Sequence, residues 1–184
     1  LKLYGNIISG TRRVIDASVG GVEYIGGTAS VSGPVDIEVS NLQATAYNNM
    51  GVPGAKSFHL TFPGYGALNP YFARHATSPT ATVLGDAMSK NPTFFTNWIG
   101  ANDVLAYATN GGARPDNPLT TEDESLLPAT DQTGNPNVAS YGSNDITDPT
   151  FFAGVYTNII NTLTGGPNSA KGVVATVPSV TSIP

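Results

Sequence analysis

From residue 94 the chain reads Phe-Phe-Thr-Asn-Trp-Ile, an aromatic and apolar run that breaks into Gly-Ala-Asn-Asp and resumes as Val-Leu-Ala-Tyr. Such a run predicts a buried parallel strand over 93–99. Its polar end marks the carboxyl edge, where open α/β sheets bind their ligands. Asn102 is therefore the first candidate for function. Farther on, Asp148 followed by Pro149 is a helix start, a capping side chain followed by a residue that needs no amide partner. Phe152, Val155, Ile159 and Leu163 follow at steps of three, four and four, a single helical stripe, and Gly165-Gly166-Pro167 ends it. Residues 171–177 predict a second parallel-type strand. The stretch 93–177 thus reads strand, helical turn, insertion, helix, strand, a right-handed βαβ unit within a layered α/β/α sheet.

Upstream, residues 67–76 and 79–90 predict helices, the second capped by Ser78 and striped with Val83, Leu84, Ala87 and Met88. Residues 42–47 predict a strand that runs into Asn49-Met50-Gly51-Val52-Pro53-Gly54, a turn where backbone can approach a ligand. Residues 1–41 form a Gly-rich excursion of short strands and turns, with apolar runs at 14–18, 22–25 and 35–39. Residues 110–147 are polar, without periodicity, and longer than a connector needs. They form either a lid facing the substrate or an inserted segment. Trp98 and the Phe pairs 94–95 and 151–152 are expected in the core.

Composition narrows the functional classes. With 184 residues and 40% hydrophobic content the chain suits one domain. Only 11% of residues are charged and the net charge is −5, so no basic surface is available for nucleic acid. The absence of Cys removes thiolate chemistry and Cys-ligated zinc. No apolar run reaches the roughly 20 residues of a membrane span, and the opening residues are no signal peptide. Low charge with abundant Asn, Thr, Gly and Ser favours an extracytoplasmic setting: secreted, periplasmic or lipoprotein. His59 and His75 lack partners at ligand spacing and read as ordinary residues, and Ser57 as a lone hydroxyl. The acidic run at 122–124 is a solvated stretch, with calcium as the other reading. No cofactor or metal is expected.

Two short motifs carry a resemblance. Asn49-x-Gly51-x-x-Gly54 is similar to the second block of the SGNH, or GDSL, hydrolases, and Gly100-x-Asn102-Asp103 to their third. Both follow predicted strands, in the family's order, and the resemblance covers residues 42–184. It implies a three-layer α/β/α flavodoxin-like fold with a mainly parallel sheet, and an ester hydrolase acting on a small-molecule, glycan or lipid ester through a serine nucleophile. It also implies that the Gly54 N–H and the Asn102 carboxamide are oxyanion-hole donors, with Asn49 and Asp103 in support. The alternative is a non-catalytic carbohydrate- or ligand-binding module on a degenerate version of that fold.

The family's serine block has no match in residues 1–48. Gly85-Asp86-Ala87 is a lookalike inside a predicted helix, with Ala where Ser belongs, and neither His has Asp three residues upstream. Residues 1–184 are accordingly expected to be a single partial hydrolase domain, whose partner is the remainder of the hydrolase chain. The missing strand would leave a gap at the sheet's centre, and the chain alone is expected not to fold stably. Simpler roles stand beside the catalytic ones: Asn102 and Asp103 as helix caps, Asn49 as a brace for the 51–54 turn, Gly54 as a turn residue.

Overall fold

The computed structural model describes residues 13–16, 21–24, 42–117, 119–177 and 179. These residues adopt a mixed α/β arrangement. Strands β1 (Arg13–Asp16) and β2 (Gly21–Tyr24) pair antiparallel, with Arg13 opposite Tyr24. Helices α1 (Pro70–Ala73) and α2 (Val83–Ser89) precede β3 (Phe94–Asn97), α3 (Asn102–Thr109), α4 (Pro149–Thr164) and β4 (Lys171–Val174). β3 and β4 pair in parallel, Phe94 opposite Lys171 and Asn97 opposite Val174. The strand expected at 35–39 lies outside the described residues.

The α4 start follows from its first residues. Asp148 accepts from Phe151 N at 2.6 Å and Pro149 occupies the first turn, where its missing N–H costs nothing. Its stripe delivers Ile159 and Leu163 to a cluster with Leu84, against which Phe95 and Val155 pack. A second cluster joins Ala55, Tyr65, Phe72, Ala76 and Val83, with Phe72 fully buried. Gly172 lets the Phe95 ring lie flat on β4, since a Cβ there would meet that ring at 2.6 Å.

Several expectations are corrected. Residues 42–47 form no strand: no described segment offers a pairing edge there, and Gln43 N donates instead to Ala76 O at 3.0 Å. The helix expected at 67–76 is confined to Pro70–Ala73, because Asn69 caps it by accepting from Tyr71 N at 2.9 Å. α2 begins at Val83, capped by Thr82, whose hydroxyl accepts from Gly85 N at 2.9 Å, while Ser78 only closes a turn to Ala81 N. Phe94 and Trp98 are not in the core. They are 60% and 75% exposed, because β3 and β4 form a two-stranded sheet with no further strand at either outer edge among the described residues.

The 110–147 stretch holds only short 3₁₀ turns at Glu124–Leu126 and Val138–Ser140, yet it is ordered by its own polar side chains. Asp145 accepts from Thr130 N at 3.0 Å, Gln132 Nε2 at 2.6 Å and Gly142 N at 2.8 Å. Gly134 N donates to Asp148 at 2.7 Å, which ties the segment to the start of α4. Among the described residues no helix is long and apolar enough to cross a membrane.

Candidate functional site

Two turns meet at the carboxyl side of β3. In the first, Ala55 N donates to Val52 O at 3.2 Å, closing a turn with Pro53 and Gly54 at its centre, and Gly54 has φ +76°. Proline before a residue of positive φ is the type II arrangement, which favours glycine at the third position. Asn49 Oδ1 accepts from Gly51 N at 2.9 Å and fixes the approach, and Asn69 Nδ2 donates to Pro53 O at 3.0 Å from behind. A Cβ on Gly54 would meet nothing within 4 Å, so this residue faces open space. Its N–H donates to no group among the described residues.

In the second turn, Gly100 has φ +117°, and a Cβ there would strike Val177 at 2.6 Å and Phe152 at 3.1 Å. Only glycine allows the chain to turn so tightly from β3 into α3. Asn102 is the first residue of α3 behind Ala101, and its side chain does not cap the helix. It reaches across to donate Nδ2 to Ala55 O at 3.0 Å. A carboxamide has two N–H donors, so one stays available beside the Gly54 turn.

Asp103 neither caps α3 nor touches Asn102 through its side chain. Its two oxygens accept from Ser57 N and Ser57 Oγ, both at 2.8 Å, with Ser57 fully buried and Asp103 3% exposed. Asn102 on Ala55 and Asp103 on Ser57 are thus consecutive ties between α3 and the segment after Gly54, where a 3₁₀ helix spans Ser57–Thr61. They fix the relative position of the two turns. Ser57, held in this way, is a structural hydroxyl. Asp103 O also accepts from Thr147 N at 3.2 Å, and Lys56 Nζ donates to Asp145 O at 2.9 Å, so the polar 110–147 segment is fastened to the same place.

The charges around the site are muted. Burial lowers the Lys56 pKa, opposed by the nearby Asp103 and Asp145 carboxylates. Burial likewise lowers the His59 pKa, with Lys56 adding to the effect. His59 Nδ1 accepts from Lys56 N at 3.1 Å and its ring stacks on Tyr65 at 4.4 Å, a neutral packed imidazole. His75 lies between Tyr47 and Phe72, its pKa also lowered by burial. Among the described residues no three or more His, Cys, Asp or Glu side chains come together as a metal site would need, the 122–124 run included. There Glu124 accepts from Asn117 N at 3.0 Å and Asp123 caps the 3₁₀ turn through Ser125 N.

A cavity of about 920 Å³ opens beside these turns, between residues 47–53 and 90–99, with Asn102 and Ala55 at one end and Leu84, Ile159 and Leu163 among its lining. Asn49 lines it as well, while Gly54 stands between the lining residues Pro53 and Ala55. Sequence reasoning reached Asn49, Gly54 and Asn102 through their short motifs. It missed the pairing of Ser57 with Asp103 and of Lys56 with Asp145, which join positions 46 and 89 apart and leave no local signal. It missed Asn69 too, although Asn before Pro is a helix-start signal. Compared with known protein families, curated proteins and solved structures, the chain matches none.

Proposed function

We propose that this chain is the oxyanion-hole portion of an SGNH-type ester hydrolase with a flavodoxin-like three-layer fold. The observation that supports this reading is that two neutral donors lie on adjoining turns, tied together by the hydrogen bond from Asn102 to Ala55. The Gly54 N–H has no acceptor among the described residues, and Asn102 Nδ2 lies 3.0 Å from the carbonyl of the next residue, Ala55. Donors held in place before the reaction suit an ester carbonyl oxygen that gains negative charge as a serine attacks it, because no reorganisation is needed when the charge forms. The parallel β3–β4 pair, ending in this corner, supports the same reading.

The roles divide accordingly. Gly54 and Asn102 hold the oxyanion, Asn49 and Asn69 shape the Gly54 turn, and Asp103 holds that turn's continuation against α3 through Ser57. The nucleophile and its histidine come from sequence joined to this chain in the working enzyme. In a polypeptide that carries this chain together with the serine-bearing segment, hydrolysis of p-nitrophenyl acetate is expected to fall about 10²–10³-fold in turnover on Asn102→Ala. An unchanged rate removes Asn102 from the mechanism, and no hydrolysis by the intact polypeptide favours a ligand-binding module instead.

A further inference from the structure

The His75 ring lies between two others, its centroid 5.4 Å from that of Phe72, edge to face, and 6.0 Å from that of Tyr47. Its Nε2 is buried and has no hydrogen-bond partner among the described residues. The residues on either side of His75 are where the segment 43–47 is fastened: Gln43 N donates to Ala76 O at 3.0 Å and Gln43 Nε2 to Arg74 O at 3.2 Å. Tyr47, against the ring, donates its hydroxyl to Gln43 Oε1 at 3.1 Å, and Ala46 is buried. This arm thus grips the chain at 74–76 and closes on the imidazole. The turn that follows is held by other bonds, from Gly51 N to Asn49 Oδ1 and from Asn69 Nδ2 to Pro53 O.

A neutral imidazole suits this place and a charged one does not. In the imidazolium both ring nitrogens carry a proton, and Nε2 has no acceptor for its own, so charging the ring leaves a buried donor unpaired. Burial accordingly lowers the His75 pKa, and the Arg74 guanidinium adds to the effect, while a hydrogen bond with the Tyr71 backbone and the Asp86 carboxylate oppose it. Asp86 is poorly placed to rescue the charge, because its two oxygens already accept from Thr77 N at 3.0 Å and Thr77 Oγ1 at 2.5 Å. We propose that His75 is an acid-operated latch on residues 43–47. Neutral, the ring keeps the arm closed; protonated, it turns out to water, and the arm lets go as far as Asn48 while the Gly54 turn stays in place. Local release of this kind needs less free energy than unfolding of the whole, since it leaves the Phe72 and Ile159 clusters packed. Tyr47 and Asn48 line the cavity that ends at Asn102, so release removes part of its wall. The latch does not depend on the ester-hydrolase reading.

The test follows hydrogen exchange by NMR in the intact 184-residue chain from about pH 8 to about pH 5, which stops short of the ordinary carboxylate range. Each rate is corrected for the intrinsic exchange of an unstructured amide at the same pH. Protection of the Gln43 amide should be constant above about 6.5 and then fall about tenfold per pH unit until the His75 ring signals show it half protonated. The Ile159 amide, in the core of α4, reports unfolding of the whole and should stay better protected than Gln43 at every pH. His75→Phe keeps a ring between Tyr47 and Phe72 but takes up no proton, and its Gln43 protection should not change over the same acid range. His75→Gln, also without a titrating group, gives the same readout should the Phe variant fail to fold. A wild-type Gln43 amide whose protection stays flat below about 6.5, or which exchanges in step with Ile159, overturns the latch. So does a Gln43 decline that survives in either variant, since the release then belongs to His59 or another group.

Discussion

Both oxygens of the buried Asp103 carboxylate are engaged by Ser57, one by its main-chain N–H and one by its hydroxyl. Ser57→Ala removes one of these partners and leaves an acceptor buried without a donor, which is expected to cost about 1–3 kcal/mol in denaturant unfolding. If Ser57 were the nucleophile instead, the variant would lose hydrolysis while keeping its stability. Acid should act on two sets of groups. His59 and His75 have pKa values lowered by burial, so the unfolded chain takes up their protons first as the pH falls. Their effect on stability is absent above about 6.5, and stability declines as the pH drops below that value toward their folded-state pKa values. The Asp148 pKa is lowered chiefly by the hydrogen bond from Phe151 N, then by that from Gly134 N. Its contribution is full above about 3.9 and is lost as the pH falls through its folded value. Unfolding followed from pH 8 to pH 2 should show both declines, and a flat profile between pH 7 and 5 would contradict the buried neutral imidazoles.

At the scale of elements, α4 is the clearest case of local chemistry fixing a boundary. Asp148→Ala removes the acceptor for Phe151 N and for Gly134 N, and is expected to cost about 1–2 kcal/mol, measured by thermal unfolding. α4 was readable from the sequence because every signal that defines it is local: a cap, a proline, a stripe and a glycine stop. β3 and β4 were readable as apolar runs ending at Gly100 and near Val177. The strand expected at 42–47 was not realised because a strand exists only through its neighbour, and nothing in the residues themselves says whether a neighbour is present. The same reasoning explains Trp98. Its surroundings in the sequence are those of a core residue, and only the lack of cover among the described residues leaves it in water. At the site, the motif glycines and Asn102 could be read from a short pattern, whereas the ties from Asp103 to Ser57 and from Lys56 to Asp145 depend on how distant segments are brought together.

At the scale of the whole molecule, the two clusters centred on Phe72 and Ile159 hold α1, α2 and α4 together, and β3 adds Phe95 to the second. Among the described residues the outer edge of β3 is unpaired, and such an edge is a template for association with other chains. The long polar segment is anchored at both ends of its course: Arg114 N donates to Leu127 O at 2.9 Å and Ala129 N to Gly112 O at 2.8 Å, while Lys56 reaches Asp145 O. Between those anchors the outermost bend carries Glu122 and Glu124, both exposed or nearly so. Exposed bends of this kind are where proteases cut and where insertions are tolerated. Cleavage by a glutamate-specific protease should therefore sever the backbone at this bend while the two pieces migrate as one particle on gel filtration. Separation of the pieces without denaturant would show the anchors to be weaker than their geometry implies. If the pieces stay together, covalent continuity at that bend is dispensable, and a tag or reporter could be spliced there without disturbing the corner formed by Gly54 and Asn102.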